Sequence, residues 1–176
     1  MNTRKLFVLI ACWFIFCFAK TIPPAKEKIN WLTISEVNLK LKAEKKPVLI
    51  DLYTNWCYWC KVMDKKTYNN QKVIAYINSH FYAVKVDGET KDEINWNGKK
   101  YIYNANNKLN DFALYVTQGQ PGFPTTVIFP EMNNDPASVP GFMNPKEIEA
   151  ILKYFGDGNY KKESFESFSA NFKTTW

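Results

Sequence analysis

Cys57 and Cys60 are the residues of this sequence best suited to covalent chemistry. Three positions apart, they fall on one face of a helical segment, close enough to join as a disulfide and to part again. The stretch that follows has a helical period, with Trp59, Val62 and Met63 and then, past a polar break at Asn69-Asn70, Val73, Ile74 and Ile77. The pair therefore belongs on the first turn of a helix, where unpaired backbone N–H groups and the helix dipole favour thiolate over thiol. Thiolate is the nucleophilic form, so the spacing reads as a reversible dithiol, with Cys57 the solvent-facing, more acidic sulfur and Cys60 the buried one. A structural disulfide and half of a zinc site are the competing uses. Zinc needs further ligands, yet there is no second Cys-x-x-Cys and His80 is the only histidine. His80 reads instead as a surface cation at the end of a helix.

An element must deliver this pair, and the apolar run Val48, Leu49, Ile50 and Leu52 has the length and composition of a strand covered on both faces. Before it, Thr33-Ile34-Ser35-Glu36 matches a capping box, and Ile34, Val37 and Leu41 share a helical face that ends at Lys45-Lys46-Pro47. After the cysteine helices, residues 81–87 alternate as a strand, and strand, helix, strand implies a parallel crossover. Residues 94–103 read as a hairpin closed at Asn97-Gly98 by a type I′ turn. Leu109, Phe112, Ala113 and Val116 predict a helix ending near Gly119. A proline directly before the β-rich run 125–129 conflicts with a central strand unless the Phe123–Pro124 bond is cis. Residues 139–142 predict a short last strand, and Asn144-Pro145 a helix carrying Ile148, Ile151, Leu152 and Phe155. Phe165, Phe168, Phe172 and Trp176 then recur at near-helical spacing, as a terminal helix laid on the domain.

The 176 residues suffice for one domain. Arg4 and Lys5 followed by the apolar run 6–19 match a secretory signal peptide. At ~1.5 Å per residue that run is shorter than the roughly 30 Å hydrocarbon core, which favours cleavage over anchoring. We therefore expect a signal peptide at 1–19, a Pro23-Pro24 linker over 20–28, a folded domain over 29–156 and an extension at 157–176 packed on it. Cleavage would remove Cys12 and Cys17 and leave Cys57 and Cys60 as the sole pair in an exported, periplasmic or secreted protein. The formal charge of +6 falls by two with Arg4 and Lys5, and the other lysines are scattered in pairs, so a nucleic-acid surface is not expected.

Three separated features resemble the thioredoxin superfamily over about 29–155: Trp56-Cys57-x-x-Cys60-Lys61, Asp51 six residues before the first cysteine, and Phe123-Pro124-Thr125. Gly141 before the last helix also fits. The runs Asp51-Leu52-Tyr53, Trp56-Cys57 and 67–73 are especially similar to the exported C-terminal domain of the disulfide reductase DsbD and to secreted thioredoxin-like proteins. The resemblance implies an α/β thioredoxin-like fold, a central mixed sheet flanked by helices, here with a hairpin insertion and a C-terminal helical extension. It implies a thiol–disulfide oxidoreductase in which Cys57 attacks, Cys60 resolves, Asp51 accepts the Cys60 proton and Lys85 neighbours that acid. Trp56, Tyr58, Trp59, Phe123 and Pro124 would bind substrate. No cofactor is implied beyond the Cys57–Cys60 disulfide. The expected partners are protein disulfides and an upstream dithiol donor, a membrane-bound one among the candidates, acting on a monomer. Tyr58-Trp59 departs from the Gly-Pro of thioredoxins and leaves a disulfide oxidase or isomerase, or a non-catalytic binding module, as alternatives.

Overall fold

Val48–Tyr53 (β2) organises the fold because its run of apolar side chains is buried along almost its whole length and so needs cover on both faces. The computed structural model describes residues 27–176, so the expected signal peptide and most of the linker lie outside the described residues. In chain order the elements are β1 (Trp31–Leu32), α1 (Ile34–Ala43), β2, α2 (Tyr58–Lys66), α3 (Gln71–His80) and β3 (Tyr82–Asp87). Next come β4 (Ile94–Trp96), β5 (Lys99–Tyr101), β6 (Tyr103–Asn104), β7 (Leu109–Asn110) and α4 (Asp111–Val116). The last are β8 (Thr125–Phe129), β9 (Ala137–Pro140), α5 (Pro145–Gly156), a 3₁₀ turn over Asn159–Lys161, and α6 (Phe165–Asn171). Five strands form one mixed sheet in the order β1-β3-β2-β8-β9. β3 runs parallel to β1 and β2, whereas β8 is antiparallel to β2 and β9 to β8.

The strand period of two assigns alternate side chains to two cores. Val48, Ile50, Leu52, Val84 and Val127 pack with Val37 of α1, Trp96 of β4 and Phe112 of α4. Leu49, Ala83 and Ile128 pack on the other face with Met63 of α2, Ile74 and Ile77 of α3, and Ile148 and Leu152 of α5. Asp51 follows Leu49 by two residues, so alternation directs its carboxyl to the face that carries α2. The predicted capping box forms at Thr33 and Glu36, and a second one at Asn144 and Glu147. The hairpin forms about Asn97 and Gly98, both at positive φ (50° and 77°) as a type I′ turn requires. Trp96 anchors it, its ring tilted against Phe129 at 4.8 Å and Phe112 at 5.8 Å.

Several boundaries differ from the sequence reading. Leu109 lies in β7, paired with Asn104, and not in the helix, because Asn110 caps α4 through the Phe112 N–H. The last strand is Ala137–Pro140, two residues earlier than expected, and Gly141 breaks it at φ 98°. The two-residue β1 carries too short a pattern to read from sequence. Past Asn171 the tail is no longer helical, and Glu149 explains why: its fully buried carboxylate accepts from the N–H groups of Thr175 (2.8 Å) and Trp176 (3.0 Å) and from the Thr174 hydroxyl. Helical backbone would spend those N–H groups internally. Burial works against the charge, but these hydrogen bonds and Lys153 at 2.9 Å hold the Glu149 carboxyl down at about 2.

Candidate active site

β2 ends at Tyr53, and a tight turn closed by the Cys57 N–H on the Thr54 carbonyl (3.2 Å) carries the chain into α2. Cys57 is the N-cap of that helix, with extended backbone, and its sulfur accepts the Cys60 N–H at 3.0 Å. A sulfur thus takes the place that Ser or Asp usually fills at a helix start, facing the unpaired N–H groups that favour a thiolate. Cys57 and Cys60 are joined as a disulfide, with Cα atoms 5.4 Å apart. Both are buried, at 3% and 5% exposure, so the expectation of a solvent-facing Cys57 does not hold in this form. The reason is local: the Cys57 sulfur is drawn back over the helix end by the Cys60 N–H and by the bond to the Cys60 sulfur.

On the sheet face that carries α2, Asp51 is 2% exposed and its carboxylate meets the Lys85 ammonium at 2.8 Å. The register sets this up, since Asp51 of β2 stands directly beside Lys85 of β3. Burial pushes the Asp51 carboxyl up to about 6 even though Lys85 pulls it down. Lys85 is not a free strand lysine: its ammonium also grips the Asp64 carboxylate and lies 5.1 Å over the Trp31 ring and 5.2 Å over Tyr53. Burial by itself would lower Lys85, but the two carboxylates outweigh it and raise it. Asp64 was missed in the sequence reading, although it stands one helical turn after Cys60, a spacing that puts both on one face of α2.

The surface around the disulfide is aromatic. Trp56, Tyr58 and Trp59 are 66%, 69% and 55% exposed. Trp56 donates its indole N–H to Glu89 at 3.0 Å and meets the Phe123 ring edge-on at 6.0 Å, which brings the 123–124 loop to the Cys57 turn. The Phe123–Pro124 bond is cis, and the Pro124 carbonyl accepts the Gly141 N–H at 2.8 Å. Gly88 makes room for this arrangement, because a Cβ there would stand 2.7 Å from the Phe123 ring. Trp59 extends the aromatic strip to Phe142, 5.5 Å away. Gly88, Glu89 and Phe142 had no signal in the sequence, since each acts through a contact between distant segments.

A family model, Thioredox_DsbH, described as "Protein of unknown function, DUF255", matches residues 22–156. The chain belongs to the Thioredox_DsbH family. Among similar proteins, Uncharacterized protein B0495.5 of Caenorhabditis elegans is 31% identical over 104 residues, 58% of this chain and 13% of that protein. Thiol:disulfide interchange protein DsbD of Pectobacterium atrosepticum is 29% identical over 124 residues, 69% of this chain and 18% of that protein. The chain thus spans under a fifth of the length of these relatives. A solved thioredoxin-fold protein from Helicobacter pylori matches with a TM-score of 0.55 at 24% identity, over 71% of this chain and 78% of that one. This Thioredox_DsbH chain accordingly has the thioredoxin fold and DsbD-like similarity. With the Cys57–Cys60 pair in place, these findings support thiol–disulfide oxidoreductase chemistry.

Proposed function

We propose that this chain is an exported reductase, or electron relay, for protein disulfides. The observation that carries the reading is a disulfide at a helix start, backed by a buried carboxyl held near 6 on the sheet face that bears that helix. In the reduced protein the Cys57 thiolate attacks one sulfur of a substrate disulfide, forming a mixed disulfide and releasing the first substrate thiolate. Asp51 takes the proton of Cys60, and the Cys60 thiolate attacks the Cys57 sulfur, releasing the second substrate thiolate. The protein is left as the observed disulfide, and an upstream dithiol returns its two electrons. Lys85 holds Asp51 in place, while Trp56, Tyr58, Trp59 and Phe123 offer an apolar strip beside the pair and the backbone of Phe123 pairs with an extended substrate segment. The basic and apolar pattern of 1–19 supports export.

Reduction of insulin by a limiting dithiol separates this reading from that of a binding module with idle cysteines. The protein should accelerate precipitation of the insulin B chain well beyond the dithiol alone. A rate equal to that of the dithiol alone would remove the catalytic reading.

A further inference from the structure

Thr54 is 1% exposed, and its hydroxyl has no hydrogen-bond partner among the described residues. Among the described residues two other buried side-chain polar atoms share that condition, Asn38 Oδ1 and Trp96 Nε1, on α1 and the hairpin. An unpaired buried hydroxyl loses its hydration with nothing in return, so a sequence that keeps one calls for a reason. The position of Thr54 supplies it. Its carbonyl accepts the Cys57 N–H at 3.2 Å, closing a four-residue turn, and such a turn holds its first and last Cα atoms within about 7 Å. The residues between, Asn55 and Trp56, are exposed, whereas Thr54 and Cys57 are both buried. A threonine that opens a turn commonly gives its oxygen to the N–H two residues on, and this one does not.

We propose that the Thr54 hydroxyl is a donor kept for the thiolate that forms on Cys57 when the disulfide opens. A sulfur in a disulfide is neutral and a weak acceptor, and in this form Cys57 already accepts the Cys60 N–H. Two-electron reduction breaks the S–S bond, puts a proton on Cys60 and leaves charge on Cys57. That anion has acceptor capacity for a second donor, and a hydrogen bond to a charged group is about twice as strong as a neutral one. The hydroxyl thus stabilises the reduced form selectively, and the same bond keeps Cys57 ionised for attack. The inference rests on the assignment of Cys57 as the attacking sulfur, but it concerns differences between variants and not the absolute potential, so the two fail separately.

The test uses Thr54→Val, which keeps the shape and removes the donor, and Thr54→Ser, which keeps the donor. In the reduced proteins, thiolate absorbance against pH should show the Cys57 pKa raised by about one unit in Thr54→Val, a tenfold loss of ionisation. Equilibration with glutathione should show a potential more negative by about 30 mV, the equivalent of tenfold for a two-electron couple. Thr54→Ser should keep both wild-type values. Thermal unfolding of the oxidised forms should show Thr54→Val no less stable than wild type, since no bond is lost there. A purely structural threonine, or one bonded to a fixed water in both redox states, shifts oxidised and reduced stability equally and leaves the potential unchanged; that result overturns the proposal. Equal shifts in the Ser and Val variants overturn it as well. Thr54→Ala gives the same reading where Thr54→Val does not fold.

Discussion

Cys60→Ala halts turnover at a mixed disulfide on Cys57. The Cys57 sulfur keeps its place at the start of α2, with the Cys60 backbone N–H and the helix end still available to a thiolate, because none of these needs the Cys60 side chain. Attack on a substrate disulfide therefore proceeds, but nothing remains within the protein to displace the product. Insulin reduction should fall to the rate of the dithiol alone, and a covalent adduct with substrate should accumulate that is stable to gel electrophoresis and released by excess thiol. Cys57→Ala should abolish both turnover and adduct. If Cys57→Ala forms the adduct and Cys60→Ala does not, the attacking and resolving roles are exchanged.

Asp51→Asn should make the folded protein more stable at pH 7 and slower. The Asp51 carboxyl rises from an ordinary 3.8 to about 6 in the fold. A raised carboxyl binds its proton better folded than unfolded, so its contribution is most favourable below pH 4 and is lost as the pH rises through 6. The ionised group is therefore a burden of no more than about 3 kcal/mol at neutral pH, the upper limit of what the amide relieves. Urea unfolding of the oxidised forms should show the variant's advantage at pH 7 shrinking to nearly nothing at pH 4. Lys85 retains Asp64 as a partner in the variant, so the amide does not leave an isolated cation. Turnover should drop by about 10²-fold at pH 7 through the resolving step, which loses its proton acceptor. The deficit should narrow at high pH, where Cys60 ionises unaided. Parallel pH–rate profiles in the two proteins would reduce Asp51 to a buried structural acid.

What the sequence made legible was the chemistry carried by short-range pattern. Cys57 and Cys60 announce a helix start by spacing, and Asp51 stands out as a charge inside the apolar run 48–52. Pro124 before a β-rich run required a special bond at the strand entrance. Lys85 was readable only in part, since an alternating strand gives a lysine a face but not a partner; the register with Asp51 supplies that. Cys57 is buried in the disulfide form because helix geometry fixes where a Cβ points and not where a sulfur tied to its neighbour comes to rest. Thr54 looked like any turn threonine, and its unpaired hydroxyl is a property of three-dimensional surroundings. The tail departs from its pattern for a related reason: four aromatics recur at helical spacing, but a single glutamate 25 residues before Thr174 takes its hydroxyl.

The reduction potential of the Cys57–Cys60 couple tests the reductase reading most directly. A strongly oxidising disulfide is one whose reduced form is unusually stable, which requires a very stable thiolate. Here both sulfurs are buried, Tyr58 and Trp59 between them bring no cation, and Lys85 is already shared by Asp51 and Asp64. The helix end, the Cys60 N–H, the exposed Lys61 and the Thr54 hydroxyl pull the other way, and at about 30 mV per tenfold of stabilisation they do not carry the couple to the oxidising extreme. Equilibration with glutathione buffers at pH 7, read by the fraction of free thiol, should give a potential below roughly −200 mV. A value near about −120 mV, where disulfide donors lie, would contradict the account and make the protein an oxidase.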